Sequence, residues 1–599
     1  MKNFLPWLEA RTGYTKFLHD ALYENVPGGA RWRYIWGSTL VFTFAIQVIT
    51  GLFLWMSYSP SSQTAWESVY YIQYQMPGGW FLRGLHHCTA HAMNVLLVLH
   101  LMQIIIDGAY KAPREMNYWF GIGLLQVVLF LSLTGYLLPW DQKGFWATKV
   151  ATNIMGITPF IGPYLQQIII GGPDYGHHTL TRFFALHAGV LPATLVLLVS
   201  AHIYLFRRHG LTVNEPKRGP DVPFWPDQVL RDVVACLAVL AAILYLVFKP
   251  RLAGIDIGVE LGAPADPSEP FSAARPEWYF LFLFQFLKYF PGGTELWGAI
   301  VLPGLVMTVV ALMPFLGKWK LGHRFNVVFL CVMLGGVGVL TWQALRDDDR
   351  QPEYHAAVRG AHRDGERVKE LANALGIPQS GAATLLREDP LTQGPRLFAK
   401  NCASCHRYNG TDALGQTPKT PQSASDLQGY ASRAWISGLL DPQKVATPPY
   451  FGATAHKAGK MSKFVQSSVA VFTPEKKDQL QKIIAAVSAE AQLKSQRTAD
   501  LRDDALIKDG REMLADGKLR CTECHQFHKK DEETIAPDLT GYGSREWLVN
   551  YISNPAHQRF YGKRNDRMPK FGEDKVLDLQ SIGLLADWLR GDWYEAATR

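Results

Sequence analysis

The chain has 599 residues with a formal net charge of +8, and 48% of its residues are hydrophobic. A chain of this length exceeds what one hydrophobic core organises, which predicts several domains. The basic excess is small for the length and gives no argument for nucleic acid as a partner. Long apolar runs fill the first 345 residues, and charges are dense beyond them. This contrast predicts a membrane-embedded part followed by a polar part.

Seven segments are apolar and about long enough to cross the ~30 Å hydrocarbon core of a bilayer as helices. In chain order they are Tyr34–Met56, Leu85–Ile106, Trp119–Leu138, Phe184–Phe206, Val233–Val247, Gly298–Leu316 and Phe325–Leu345. The fifth is the shortest. The expected membrane fold is therefore all-α, with four spanning helices followed by three.

Lys and Arg are distributed unevenly between the connections of these helices. One set of segments holds 15 of them: 1–33, 107–117, 206–231 and 317–324. The opposite set holds only 8 in more residues: 57–85, 139–184 and 249–296. Because positive charge is retained in cytoplasmic connections, the N-terminus is expected inside. Seven crossings then place the polar C-terminal part outside.

The polar part contains an internal repeat. A charged connector, 346–390, is expected to be a helical or mobile linker. Two modules follow, 391–495 and 505–599. The first carries Asp426–Trp435 and the second Asp538–Trp547, and seven of these ten positions are identical. Such a match indicates duplication of one small module.

Four histidines of the apolar part have matched spacings. His86 and His100 lie 14 residues apart on the second segment, and His187 and His202 lie 15 apart on the fourth. At 3.6 residues and 1.5 Å per residue, each pair shares a helix face with about 21–23 Å between its members. Two facing helices could thus hold two stacked metallocentres with imidazole ligands. The alternative is that each histidine only bonds to a neighbouring helix.

Glycines repeat with the same period on the first and third segments. Gly37 and Gly51 are 14 residues apart, as are Gly121 and Gly135. A missing side chain lets a flat macrocycle approach the backbone, although small residues also serve ordinary helix packing. The period shared with the histidines favours haem.

Each polar module contains one C-x-x-C-H motif, Cys402–His406 and Cys521–His525. Thioether bonds from Cys402 and Cys405, or from Cys521 and Cys524, would anchor haem c, with His406 or His525 on the iron. The alternatives are a thiol-redox pair or half of a zinc site. Two motifs in repeated modules favour haem.

Residues 30–345 resemble the cytochrome b family. The resemblance rests on four strings in order: Gly84–His86, Thr134–Trp140, Thr179–His187 and Arg275–Tyr279. It implies two b haems in a four-helix bundle, with His86 and His187 holding the outer one and His100 and His202 the inner one. It also places three arginines at haem propionates, namely Arg83, Arg114 and Arg182.

Several details resemble the chloroplast and cyanobacterial branch of this family. They are the 15-residue gap between His187 and His202, the Trp140–Gln142 string, and three helices after the fourth, as in that branch's separate subunit four. That branch attaches an additional haem through a cysteine where this chain has Ile35, so the additional haem is not expected.

The resemblance also implies an outer quinol-oxidising site around Glu277. This carboxylate lies between Pro276 and the aromatic residues Trp278 and Tyr279, and a carboxylate in an apolar pocket can accept a quinol proton. The family places Tyr136 and Phe145 on the opposite wall. A surface glutamate beside aromatic residues is the alternative for the string in isolation.

The two modules resemble small class I cytochromes c, whose iron takes a methionine as sixth ligand. Met461 is the only methionine between His406 and residue 500, and Met568 the only one after His525. Both stand in the expected context, and a His–Met pair raises the redox potential of haem. A methionine that only packs in the core is the alternative at each position.

Together these observations predict five regions: 1–210 as a four-helix dihaem domain, 211–345 as a three-helix domain with the quinol-site loop, 346–390 as linker, and 391–495 and 505–599 as cytochrome c domains. The resemblance implies a bifurcating, proton-translocating quinol:cytochrome c oxidoreductase subunit in a bacterial cell membrane. Expected partners are a Rieske iron–sulfur protein, the quinone pool, a soluble cytochrome or terminal oxidase, the bilayer and a second copy of the complex. The alternatives are a non-bifurcating electron relay, and c modules that act only as docking tethers.

Overall fold

A computed structural model of the chain describes residues 4–211, 219–252, 259–529, 535–565 and 567–595. The chain divides into two compact units, Met1–Ala383 and Thr384–Arg599. The first contains the membrane part and most of the charged connector. The second contains both repeated modules, so the modules form one unit rather than two.

Seven helices in the described residues are long and apolar enough to cross a membrane, as the sequence predicts. They are Trp36–Trp55, Gly79–Ile106, Glu115–Leu137, His177–His209, Asp227–Pro250, Trp297–Leu316 and Gly322–Asp349, called here the first to seventh spans. The fifth is not unusually short. Its apolar stretch continues at both ends as a helix through polar residues, because backbone hydrogen bonding does not stop where hydropathy falls.

The first four spans form a bundle around an apolar core. The first span packs against the second and the third against the fourth. The core between them includes Met93, Leu97, Val127, Val128 and Leu195, all buried. Three buried threonines of the first span donate their hydroxyl protons to carbonyls of the preceding turn, which lets a polar group face the bundle interior.

Shorter helices fill the connections. In the first unit they are Phe4–Thr12, Tyr14–Leu22, Ala65–Tyr70, Gln142–Gly156, Gly162–Ile170 and Leu281–Leu287. Short 3-10 turns occur at Trp32–Tyr34 and Trp278–Phe280, and π-helical turns at Tyr71–Gln75, Leu186–Val190 and Trp297–Val301. The strand Asn25–Val26 pairs antiparallel with Val222–Pro223 and joins the N-terminal region to the connection before the fifth span.

The charged connector is helical and packs on the first unit. Its helix Pro352–Leu375 brings Lys369 over the ring of Tyr74, and Gly365 lies close to the backbone of Ala263. Gly381 approaches the backbone of Gln63. The connector therefore folds back onto the connections at one end of the spans.

The second unit is built from short helices. They are Ala383–Arg387, Pro390–Asn401, Arg433–Leu439, Lys460–Ser467, Pro474–Glu490, Arg497–Arg502, Asp504–Ala515, Arg545–Ser553 and Leu579–Arg590. Turns of 3-10 helix lie at Val469–Val471, Lys494–Gln496, Lys518–Glu523 and Gly562–Arg564. Ser432 and Ser544 lie at equivalent places in the repeats. The side chain of each accepts a hydrogen bond from the backbone N–H of the tryptophan three residues later and so caps the start of a helix.

Candidate redox centres and quinol site

The four matched histidines face each other in two pairs. The ring centroids of His86 and His187 lie 6.3 Å apart, and those of His100 and His202 lie 6.5 Å apart. These gaps are too wide for a hydrogen bond between the rings. Two imidazole–metal bonds of about 2 Å each, with the distance from each ring centre to its nitrogen, account for such a separation. Both pairs therefore fit a single iron between two imidazoles.

Hydrogen bonds orient three of these rings through their Nδ1 atoms. The Nδ1 of His86 lies 2.8 Å from the Thr50 hydroxyl, that of His187 lies 3.1 Å from the Leu131 carbonyl, and that of His202 lies 2.9 Å from the Asn117 carbonyl. Such contacts leave Nε2 for a metal and fix the plane of the ring. The buried Nδ1 of His100 has no hydrogen-bond partner in the described residues.

The four periodic glycines each lie beside one of these histidines. A Cβ added at Gly135 would lie 2.5 Å from Cε1 of His187, and one at Gly51 would lie 3.3 Å from Cε1 of His86. The corresponding distances are 3.4 Å from Gly121 to His202 and 4.0 Å from Gly37 to His100. The glycines thus leave room for the imidazole rings themselves, as well as for a macrocycle edge.

Because the space beside these glycines differs, replacing each of them with alanine is expected to change the haem b content to a different extent. Gly135→Ala is expected to displace His187 and lower the haem b content by the share of one haem, because 2.5 Å is far inside van der Waals contact. Gly37→Ala is the matched control, since its Cβ would meet His100 at an ordinary 4.0 Å. Haem b per chain, measured by pyridine haemochrome, checks both. Equal haem content in the two variants would contradict the prediction.

The three predicted propionate arginines lie at the ends of the spans. Arg83 donates to Gln73 and to the carbonyls of Val259 and Glu260. Arg114 donates to the carbonyls of His209 and Gly210, and Arg182 to that of Ile168. Their guanidinium groups are thus held by backbone oxygens, and their role toward propionates stays a prediction.

Glu277 lies where a connection meets the second span, at the end that carries His86. Its side chain is 20% exposed, and its Oε2 lies 4.0 Å from Nε2 of His91. Tyr279 follows with its ring 5.7 Å from that of His91. Burial, and next the Glu277 carboxylate, raise the pKa of Tyr279 well above its ordinary value, so its phenol keeps its proton.

His91 is a polar group of this site that sequence reasoning missed. The indole N–H of Trp278 donates to its Nδ1 at 2.8 Å. An indole nitrogen can only donate, so this contact makes Nδ1 an acceptor and places the imidazole proton on Nε2. That Nε2 lies 2.9 Å from Nε2 of His87. The signal in the sequence was the spacing of four residues, which puts His87 and His91 on one helix face.

The two residues predicted for the opposite wall differ in their surroundings. Tyr136 lies within electrostatic range of Glu277 and Tyr279. Phe145 is only 1% exposed, and its ring packs against Trp140, Trp146 and Tyr175. Phe145 therefore belongs to an aromatic core in this structure.

A cavity of about 380 Å³ opens near the other end of the bundle. Its lining is almost entirely apolar and comes from the first span, the fifth span and the segment just before the fifth; it comprises Phe42, Phe224, Val229, Asp232, Val233, Cys236 and Leu237. Gln228 donates to Asp232 at 2.9 Å. An almost entirely apolar lining of this kind suits a flat apolar ligand.

The two C-x-x-C-H motifs have the same local geometry. Nδ1 of His406 lies 2.8 Å from the carbonyl of Ser425, and Nδ1 of His525 lies 2.7 Å from that of Pro537. Each ring is therefore held through Nδ1 with Nε2 left for a metal. The four cysteines of the motifs form no disulfide.

The alternatives of zinc and of a reactive thiol pair find little support. No group of three or more His, Cys, Asp or Glu in the described part of the chain is arranged to hold a metal ion. Burial raises the pKa of Cys402 to about 12 and that of Cys521 to about 11. Reactive thiols have lowered pKa values instead. Attachment of haem fits these residues better.

Paired, half-buried histidines between membrane spans, together with two C-x-x-C-H motifs in a polar unit, define a membrane cytochrome. Comparison with known families agrees. The profile described as cytochrome b (N-terminal)/b6/petB matches residues 91–254, that of cytochrome b (C-terminal)/b6/petD matches 264–348, and that of cytochrome c matches 391–468.

Individual relatives show how much of the chain is similar to known cytochrome b proteins. Cytochrome b of Rhodobacter capsulatus is 33% identical over 380 residues, which cover 56% of this chain and 85% of the relative. The menaquinol:cytochrome c reductase cytochrome b subunit of Bacillus subtilis is 40% identical over 220 residues, 35% of this chain and 98% of that one. A solved hyperthermophilic respiratory Complex III aligns with a TM-score of 0.50 and 26% identity, over 64% of this chain and 98% of that chain.

The chain therefore belongs to the cytochrome b family, with a cytochrome c region joined to its C-terminal side. It is a multi-pass membrane protein of electron transport whose two parts imply haem b and haem c.

Proposed function

We propose that the chain is the cytochrome b subunit of a bc-type quinol:cytochrome c oxidoreductase, in which the two electrons of a quinol part at the Glu277 site. One observation carries the proposal most directly. A carboxylate, a protonated phenol and an imidazole converge beside the His86 end of the bundle, through Glu277, Tyr279 and His91. The name of the Bacillus subtilis relative, a menaquinol:cytochrome c reductase subunit, supports the same reaction class.

Each residue of the site has a task in this reaction. Quinol loses two protons with its two electrons, and Glu277 accepts one of these protons as general base. Tyr279 keeps its proton and donates a hydrogen bond. His91 lies beside this carboxylate, with its Nε2 4.0 Å from Oε2 of Glu277 and its ring held by the indole N–H of Trp278. Aromatic rings around them keep water out and hold the flat quinol ring.

The cofactors are two b haems and two c haems. His86 with His187 and His100 with His202 hold the b haems. Cys402 and Cys405, and Cys521 and Cys524, would attach the c haems, and His406, His525, Met461 and Met568 would supply the ligands to the irons. These groups supply one-electron redox centres, which allow the two electrons of a quinol to take separate routes.

The cavity lined by Asp232 is the proposed inner quinone site. It lies toward the end of the bundle where Arg114 is bound to the carbonyl of His209, the end that carries His202. Uptake of protons there and release near Glu277 would make the reaction proton-translocating. The excess of Lys and Arg in the connections at this inner end supports a cytoplasmic location for it in a bacterial cell membrane, and the connector folds onto the opposite end.

The reaction needs partners that the chain does not contain. A Rieske iron–sulfur protein would take the first electron from the Glu277 site, and a soluble cytochrome or terminal oxidase would take electrons from the c haems. The quinone pool supplies the substrate within the bilayer. A homodimeric complex is expected from the family resemblance.

Oxidant-induced reduction tests this proposal in the purified complex. With excess quinol and an inhibitor at the inner site, a pulse of oxidant to the c haems should transiently reduce the b haems, because the second electron has no other exit. The non-bifurcating relay, which is the alternative function, predicts that the same pulse oxidises the b haems. c modules acting only as tethers predict no change in the b haems.

Removal of the His91 side chain is expected to slow quinol oxidation by about tenfold, because the Glu277 carboxylate then loses the polar imidazole that lies 4.0 Å from it. His91→Ala should lower kcat while the haem b spectrum stays unchanged. His91→Gln retains an N–H donor and should recover part of the rate. Equal rates in both variants would show that His91 acts only in packing.

A further inference from the structure

The two repeated modules of the second unit exchange their C-terminal halves. We name the helices Pro390–Asn401 and Pro474–Glu490 leading and closing helix 1, and Asp504–Ala515 and Leu579–Arg590 leading and closing helix 2. Leading helix 1 packs against closing helix 2, and closing helix 1 packs against leading helix 2. Each helix pair is thus formed from two different repeats.

Close contacts fix the first of these pairs. A Cβ at Gly394 would lie 2.2 Å from Cβ of Trp588, so the helices touch at a position where only glycine fits. The rings of Phe398 and Tyr408 lie 5.5 Å and 4.5 Å from that of Trp588. Leading helix 1 and the segment after its haem motif are therefore anchored on the end of the other repeat.

Equivalent contacts fix the second pair. A Cβ at Gly510 would lie 2.1 Å from the carbonyl oxygen of Lys482. Lys482 also forms an ion pair with Asp509 at 3.1 Å, and Arg511 forms one with Glu490 at 3.0 Å. Gly394 and Gly510 therefore have the same task at symmetric places.

The chain crosses between the two halves at the duplicated ten-residue segments. Tyr430 and Tyr542, which are equivalent in the repeats, pack against each other with tilted rings whose centroids are 5.5 Å apart. A Cβ at Gly543 would lie 2.3 Å from Cβ of Ala431. Arg590 joins the second of these segments to the end of closing helix 1, since it donates to the carbonyls of Gly543 and Ala491.

Met461 and Met568 each pack in a different apolar cluster from the C-x-x-C-H motif of the same repeat. One apolar cluster combines Phe398 and Ala403 with Ile582 and Trp588, and both Cys402 and Met568 pack against it. The other combines closing helix 1 with Leu514 and Phe527, and both Met461 and Cys521 pack against it. Each cluster contains one haem motif and the methionine of the other repeat.

We propose that each c haem takes its cysteines and histidine from one repeat and its methionine from the other. The haem bound at Cys402, Cys405 and His406 is ligated by Met568, and the haem bound at Cys521, Cys524 and His525 by Met461. This pairing rests on the proposed haem content. It replaces the pairing within each repeat that the order of the sequence implies.

Paired substitutions in the full chain separate the two arrangements. In Met461→Ala/His525→Ala both changes fall on one haem, so one haem should keep the red charge-transfer band and high potential of His–Met ligation. In Met461→Ala/His406→Ala the changes fall on both haems, and no such haem should remain. Pairing within each repeat predicts the reverse. Retention of one such haem in both double variants would remove Met461 as a ligand and overturn the proposal.

Two controls complete the experiment. Met513→Leu changes another methionine packed on the same cluster as Met461 and should leave both haems unaltered; loss of the band there would overturn the assignment. A second pair of double variants, Met568→Ala with His406→Ala and Met568→Ala with His525→Ala, tests the ligand of the other haem. Met568 packs in the other apolar cluster, so misfolding caused by the loss of Met461 cannot affect these variants. Absence of covalent haem from the unaltered chain would contradict the proposed function instead of the pairing.

Discussion

Glu277→Gln is expected to slow quinol oxidation by about 10²-fold or more, the usual contribution of a positioned general base. Gln keeps the shape of the side chain and cannot take up the proton. The b and c haems should remain at the level of the unaltered chain, because Glu277 lies beside His91 and not beside the paired histidines. Steady-state reduction of an added cytochrome c by quinol measures the effect.

Glu295→Gln provides the matched control. Glu295 is exposed in the connection before the sixth span, and its carboxylate only accepts from the backbone N–H of Gly293. Its rate should equal that of the unaltered protein. Unaltered turnover of Glu277→Gln across the pH range would rule the carboxylate out as the essential proton acceptor.

Loss of Arg275 is expected to destabilise the first unit by about 3–5 kcal/mol, the cost of leaving one partner of a buried pair alone. Arg275 donates to both carboxylate oxygens of Asp348, at 2.7–3.0 Å. The two side chains are only 17% and 12% exposed. This pair ties the connection that carries Glu277 to the end of the seventh span.

A double variant separates the cost of an unpaired buried charge from the loss of the tie between the connection and the seventh span. Arg275→Met leaves the Asp348 carboxylate buried without its partner, whereas Arg275→Met/Asp348→Leu removes both charges. The thermal midpoint of b-haem loss should fall strongly in the first and recover largely in the second. The Michaelis constant for quinol should stay raised in both, because the connection is no longer tied. Equal midpoints would show that the pair contributes little.

The membrane part of the fold was predictable because its physics is local. A span must satisfy its own backbone in lipid, so apolar length alone locates it. The histidine and glycine periods add the faces, because residues 14 or 15 apart return to one side of a helix. For this reason His86, His187, Gly51 and Gly135 meet as the spacing predicts.

The quinol site was predictable only in part. The aromatic residues around Glu277 predict a pocket, but His91, which lies beside the Glu277 carboxylate, is far away in the sequence. His91 has no histidine at haem spacing and meets Glu277 only because the connection after the fifth span folds back onto the second. A contact of this kind depends on tertiary folding and is not visible in periodicity.

The exchange in the second unit was hidden for a different reason. The repeated sequence predicts the same leading and closing helices in each module. It does not predict which closing helix packs on which leading helix, because the two closing helices are similar and each has an apolar face. The crossing is decided by the short segments around Tyr430 and Tyr542 and by contacts such as that of Gly394 with Trp588. These are long-range contacts that similarity between the repeats cannot choose.

The crossing also imposes an order in time on the second unit. Leading helix 1 and its C-x-x-C-H motif are synthesised before closing helix 2, the helix on which they pack. With the exchanged pairing, a haem attached early at Cys402 waits for Met568 until nearly the whole chain has been made. Contacts this distant in sequence form slowly and leave partly folded intermediates exposed. Removal of either repeat would then leave the other without the helix on which it packs, so neither repeat is expected to fold alone.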